Sequence, residues 1–162
     1  MKTINTWSLV NRNGLALAYN MNTKQCLKLT DKEGSSTMAS LKLLASLVKN
    51  MDRTEDILNI VILPRNLGGI LRKENVYEWI ANGNKTPNGT QLSDEYIALA
   101  KYISDMRSYL GTSLRMTIQG SKYITQEQIN IIKETWNLLD KIAPKTKPVI
   151  PEIYQEAEEI NF

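Results

Sequence analysis

INTWSLVNRNGLALAYNMNTKQCLKLT, residues 4–30, decides the fold. Its apolar and β-prone residues fall into three short runs, 4–10, 15–21 and 24–30, separated by Asn13-Gly14 and by a polar break at Asn22-Thr23. Asn-Gly is a tight-hairpin dipeptide, because both residues accept the positive φ that such turns demand. The stretch therefore predicts three antiparallel strands in a meander. Downstream, residues 31–36 read as a loop ending in helix-capping serines. Met38, Leu41, Leu44, Ala45 and Val48 recur on one helical face, which predicts a helix over 36–50. ILNIVIL, 57–63, is a continuous apolar run of strand length, of the kind covered on both faces and often parallel, and Pro64 ends it. A helix is expected near 67–81, started or interrupted at Gly68-Gly69, then a loop over 82–89 and a helix over 93–109 capped by Ser93. SLRMTIQG, 113–120, reads as a strand. Thr125 caps a last helix over 126–142, with Ile129, Ile132, Trp136 and Leu139 on its apolar side.

The order β-β-β-α-β-α-α-β-α predicts an α/β protein with a mixed five-stranded sheet, a three-strand meander plus a β-α-β unit, and helices packed on it. Residues 1–142 are expected to form the domain. Residues 143–162 follow as a proline-rich linker, PKTKPVIP at 144–151, and an acidic tail. No internal repeat is evident.

Composition narrows the chemistry. The chain has 162 residues, 42% hydrophobic and 23% charged, which is one domain's worth of ordinary globular sequence. No apolar run approaches the roughly 18 residues of a membrane helix. The first residues lack the apolar core and cleavage site of a secretory signal. The single cysteine, Cys26, excludes an internal disulfide framework, so the expected compartment is the cytoplasm. There is no histidine, which removes imidazole bases, histidine triads and most transition-metal sites. Cys26, with no histidine to activate it and apolar neighbours, reads as a core residue. Gly68-Gly69 lacks the spacing of a phosphate-binding turn, and no cofactor is indicated.

The net charge of +3 hides an asymmetry. Residues 1–30 carry Lys2, Arg12, Lys24 and Lys28 and no acid; residues 151–162 carry Glu152, Glu156, Glu158 and Glu159 and no base. Without those four glutamates the chain holds 20 basic residues against 13 of its 17 acids. Such a body either attracts phosphate backbones or is a solvated lysine-rich surface.

This order of elements, with these loops, resembles the ribonuclease H fold. Within Trp79 to Leu92, Gly83-Asn84-Lys85-Thr86 is similar to the Gly-Trp-Lys-Thr element in the substrate-handling loop of type 1 ribonuclease H, with asparagine in place of tryptophan. Ser35-Ser36-Thr37-Met38 resembles the family's Asn-Asn-Arg-Met helix entry, and Ile118-Gln119-Gly120-Ser121 its Val-Lys-Gly-His. The resemblance spans about residues 1–142. It implies nucleic-acid hydrolysis by two divalent metals held on carboxylates from the first strand, first helix, fourth strand and last helix.

This sequence departs from that pattern at each place. Residues 1–30 and 34–51 contain no acid. The helix position falls on Ala39 or Ser40, the fourth-strand position on Pro64, the last-helix position near Asn130, and the mobile histidine becomes Ser121. The expectation is a catalytically inactive domain that binds a protein partner as a scaffold or accessory subunit, with no metal. A second reading is a non-cleaving module for RNA–DNA hybrid or duplex. There Arg65, Arg72, Lys73, Asn82, Asn84 and Lys85 would face phosphates, and Trp79 would offer an aromatic face, unless Trp79 is core and the rest a solvated surface. A third is a hydrolase with relocated ligands drawn from Asp31, Glu33, Asp52 or Asp56. The tail, with Glu158, Glu159, Ile160 and Phe162, resembles the acidic tip of bacterial single-stranded DNA-binding proteins, which would make it a partner-binding segment. The Asn-, Lys- and Ile-rich composition is common in AT-rich genomes, including phages and mobile elements.

Overall fold

A computed structural model describes residues 3–50, 57–64, 67, 75–111, 116–119, 125–142 and 155–157. Strands β1 (Thr3–Arg12), β2 (Leu15–Asn20) and β3 (Cys26–Thr30) form the meander expected from the sequence. Helix α1 (Ser36–Asn50) leads to β4 (Ile57–Ile62), which pairs parallel with β1. Then come α2 (Asn75–Ala81), α3 (Asp94–Gly111), β5 (Met116–Gln119), α4 (Gln126–Ile142) and β6 (Gln155–Glu156). The sheet order is β5-β4-β1-β2-β3-β6. Among the described residues it has six strands, where five were expected. The sixth comes from the acidic segment and lies parallel to β3, pairing Leu27 with Gln155 and Lys28 with Glu156.

Strand parity sorts the side chains into two layers, because successive residues point to opposite faces. Trp7 and Leu9 of β1, Ala16 and Ala18 of β2, Leu29 of β3 and Val61 of β4 share one core with α1. Val10, Leu15 and Leu17 point the other way, onto Leu139 and Ile142 of α4. Arg12 fixes the end of α4 to the hairpin through an ion pair with Asp140, and its guanidinium lies 5.3 Å from the centre of the Trp136 ring. Strand β2 is buried at all six positions, since helices cover both faces of it.

Helix α1 is more enclosed than its one-face pattern suggests. Ala39, Ser40, Leu41, Leu43, Leu44, Ala45, Ser46, Leu47 and Val48 are all buried, whereas Met38 is only partly so. The reason is α3, whose Leu99 and Ile103 belong to the same core and cover the side of α1 away from the sheet. Each leucine fully withdrawn from water contributes about 1.5–3 kcal/mol.

The third strand begins two residues later than expected. Asn20 to Gln25 close a turn instead: the Asn20 amide donates to the Gln25 carbonyl at 2.9 Å, the Lys24 amide to Asn20 at 2.8 Å, and Lys24 takes a φ of 64°. The Asn20 side-chain oxygen accepts the amides of Asn22 and Thr23, so the asparagine replaces ladder partners for the turn.

The first hairpin tip presses on the loop before α1. The Gly14 amide donates to Ser36 Oγ at 2.9 Å, and its carbonyl accepts the Asp31 amide at 2.8 Å. Both Gly14 and Gly34 have a φ of 79°. A Cβ on Gly14 would stand 2.8 Å from the Gly34 Cα, whereas one on Gly34 meets nothing within 4 Å. Gly34→Ala should therefore lose only the left-handed backbone cost, about 1–2 kcal/mol. Gly14→Ala adds a backbone clash and should lose more. Equilibrium urea unfolding of both variants checks this, and equal losses would contradict the close approach.

Candidate interaction surface

The segment from α2 to the start of α3 contains four of the expected site residues: Trp79, Asn82, Asn84 and Lys85. Val76 and Trp79 lie three apart on α2 and turn inward onto Ile97 and Ala100 of α3. Trp79 is 8% exposed, and its ring centre sits 6.2 Å from that of Tyr96, tilted by 49°. The tryptophan is thus a core anchor. The expectation that it offers a free aromatic face to a base is corrected, because α3 already covers it.

The backbone of Trp79 organises the loop that follows. Its carbonyl accepts the amides of Asn82 at 3.2 Å, Asn84 at 2.7 Å and Lys85 at 3.3 Å. This convergence requires the left-handed conformations of Gly83 (φ 73°) and Asn84 (φ 63°), residue types that adopt them at low cost. The loop then folds back: the Leu92 amide donates to the Asn84 carbonyl at 2.8 Å, and Lys85 and Gln91 form a bridge. The Gln91 side-chain amide reaches the carbonyls of Gly83, Asn84 and Leu92 at 3.2–3.4 Å. Lys85 and Asn82 are exposed on this fixed loop, and Asn84, half-buried, reaches Asp94 at 3.4 Å.

On the outer side of α2, Tyr77 and Ile80 are exposed at 47% and 38%. The Tyr77 hydroxyl donates to Asp105, which Lys101 also contacts at 2.9 Å. Residues 75–105 hold four acids, Glu78, Asp94, Glu95 and Asp105, and two cations, Lys85 and Lys101, while Lys42 of α1 lies 3.4 Å from Glu95. This stretch is net acidic, the reverse of a phosphate-binding surface. The cations that would reverse it, Arg65, Arg72 and Lys73, lie outside the described residues.

The positions that the ribonuclease H resemblance assigns to metal ligands hold neutral groups. Ala39 and Ser40 are wholly buried in α1. Asn11, at the end of β1 and on the α1 side, donates from Nδ2 to Ser40 Oγ at 2.7 Å. Pro64 is half-buried just after β4, and Asn130 is exposed on α4, accepting from Gln126 at 3.2 Å. Ser121 lies outside the described residues. Of the acids considered as relocated ligands, Asp52 and Asp56 also lie outside them, and Glu33 is exposed. Asp31 is 6% exposed and already engaged: it accepts the Ser35 amide at 2.9 Å and Lys42 Nζ at 3.0 Å. Burial alone would raise its pKa, but the Ser35 amide and the Lys42 ammonium outweigh that and hold the carboxyl below its usual range. Among the described residues no three His, Cys, Asp or Glu side chains are grouped so as to hold a metal ion.

The sequence reading missed two contacts. One is Asn11–Ser40, legible only once strand parity is known. The other joins Tyr19 to Glu134 of α4, with the phenol donating at 3.2 Å. Burial first, then the Glu134 charge, pushes the Tyr19 pKa to about 12. Cys26 is half-buried on the same face beside Trp136 and Leu138, with its thiol pKa raised by burial and by Glu134. Glu158, Glu159, Ile160 and Phe162 lie outside the described residues, whereas Ala157 before them is 9% exposed in the main core.

Trp79→Ala should cost about 3–5 kcal/mol in urea unfolding; Lys85→Ala should stay within about 0.5 kcal/mol. A stable Trp79→Ala variant would return the ring to the surface. Asp31 contributes stability above the unfolded carboxylate pKa of about 3.9, and that contribution is lost as pH falls through its lower folded value. Asp31→Asn should cost about 2 kcal/mol at neutral pH and flatten the acid limb of the stability–pH curve. An unchanged acid limb would contradict the Asp31–Lys42 pairing.

No family model matches this sequence, and no curated protein matches it. Among solved structures it is similar to the foamy viral protease-reverse transcriptase in complex with dsDNA, at 11% identity and a TM-score of 0.47, over 82% of this chain and 88% of that one. It is also similar to the foamy viral protease-reverse transcriptase in complex with RNA/DNA hybrid, at 13% identity and a TM-score of 0.47. That match covers 83% of this chain but only 19% of the viral one. No helix among the described residues is long and apolar enough to cross a membrane.

Proposed function

We propose that this chain is a non-catalytic ribonuclease H-like domain that serves as a protein-binding scaffold or accessory subunit. The reading is carried by the Asn11–Ser40 hydrogen bond at the junction of β1 and α1. Two-metal hydrolysis needs several carboxylates there to hold the cations and generate the attacking hydroxide. An amide bonded to a hydroxyl supplies neither the charge nor the basicity, so the residues do not fit a divalent metal pair. The resemblance to ribonuclease H rests on the meander and on the parallel pairing of β1, β4 and β5.

A protein partner is favoured over nucleic acid by the charge of the α2–α3 surface. With Lys42 on Glu95, four acids stand against three cations, an acidic excess that disfavours a phosphate backbone, while exposed Tyr77 and Ile80 beside a fixed polar loop suit a protein contact. The second reading, a non-cleaving hybrid or duplex binder, draws its support from Arg65, Arg72 and Lys73 in the sequence.

Fluorescence anisotropy with a labelled RNA–DNA hybrid at low and high salt, followed by a denaturing gel of the same samples with Mg²⁺ or Mn²⁺, tests the proposal. Intact strands and no binding at low salt are expected. Salt-sensitive binding with intact strands would transfer the function to the hybrid-reading module. Cleavage that a carboxylate substitution abolishes would establish relocated ligands and overturn the non-catalytic reading.

A further inference from the structure

The segment that adds β6 to the sheet is short and unlike the rest. Only two of its residues pair in the ladder, against the five of β3. A third residue completes the contact: the Ala157 amide donates to the Lys28 carbonyl at 2.7 Å. Ala157 itself is 9% exposed and belongs to the same core as Leu29 and the α1 leucines. The segment therefore binds as an extended peptide does at a sheet edge. Main-chain bonds hold it, and one small side chain enters the core.

Charge favours the same pairing. The region that forms β1 to β3 carries Lys2, Arg12, Lys24 and Lys28 and no acid up to residue 30, whereas residues 151–162 carry four glutamates and no base. Arg12 is engaged by Asp140, but Lys28 of β3 stands beside Glu156 of β6 in the ladder, so charge there favours an acidic occupant.

We propose that the outer edge of β3 is a strand-addition site for an extended acidic segment bearing a small residue, and that Gln155–Ala157 occupies it in cis, closing it to a partner's segment of the same chemistry. This deepens the protein-binding reading, on which it rests for the nature of the partner, by naming the edge used and the kind of peptide it takes. An occupant tethered to its own site competes at an effective concentration in the millimolar range, so a free peptide binds weakly until the tethered one is disabled.

The test uses the full chain and a fluorescent synthetic peptide, PEIYQEAEEINF, equal to residues 151–162. Two variants disable the cis segment by different means: Ala157→Pro removes the amide that bonds Lys28, and Ala157→Asp places a charge in the core. Each should bind the peptide at least tenfold more tightly than wild type. Binding should weaken with salt, and a peptide carrying proline at the Ala157 position should not bind. In wild type, the Ala157 amide should exchange hydrogen far more slowly than in the free peptide.

Equal peptide affinity for wild type and variants, or no binding to variants that keep the wild-type circular dichroism, overturns the proposal. Ala157 exchange at the free-peptide rate overturns it even if both variants misfold. A wild-type dimer that the peptide dissociates would assign the edge to a second copy and overturn occupation in cis. Failure in the peptide titration leaves the hybrid titration and gel unchanged, so the two readings fail separately.

Discussion

The enclosure of α1 is the constraint on which the rest of the structure depends. The sheet covers one side of the helix and α3 the other, so from Ala39 to Val48 only Lys42 is not buried. A helix buried all round cannot carry unpaired charge at ordinary cost. Lys42 is tolerated because Asp31 lies 3.0 Å away and Glu95 of α3 lies 3.4 Å away. The same pairing fixes the loop before α1, where Asp31 also binds the Ser35 amide and Gly14 packs on Gly34. An acid at Ser40 would enter this enclosure beside Asn11, whose Nδ2 now donates to the Ser40 hydroxyl. In the proposal, that amide–hydroxyl pair stands where two-metal chemistry would need carboxylates.

Much of the fold was legible because two periodicities, of two and of 3.6 residues, are written plainly in it. The Asn13-Gly14 turn, the ILNIVIL run and the helical face of Met38, Leu41, Leu44, Ala45 and Val48 each have one local solution. What the sequence did not convey was tertiary. The pattern of α1 suggested one buried face because Ser40 and Ser46 look polar, yet both are buried, Ser40 against Asn11 of β1. The turn at Asn20 to Gln25 shortened β3 through side-chain acceptance by Asn20, which periodicity cannot register. The sixth strand was hidden because two ladder residues in an acidic stretch carry no alternation to read.

The candidate surface was legible in part for a related reason. Residue type suggested that Trp79, Asn82, Asn84 and Lys85 act together, and they do share one loop. Their roles divide by direction, however, and direction depends on α3. Trp79 turns in towards Tyr96, its carbonyl gathers three amides, and Lys85 is left outside. Charge counted over the chain gave a basic body; charge counted over residues 75 to 105 gave an acidic surface. The local count bears on a partner, because screening confines such interactions to about 10 Å at ordinary ionic strength.

The pairing of Lys28 with Glu156 also bears on how the chain is made. Synthesis runs from β1 towards β6, so the meander emerges before residues 155–157 and can form while the ribosome still holds them. Its β3 edge has no strand to meet until residues 155–157 have left the exit tunnel. Throughout that interval a nascent sheet presents a bare margin, the feature by which incomplete chains associate wrongly. Lys28, repelling the same residue on a neighbouring nascent chain, would protect that margin until Glu156 arrives beside it.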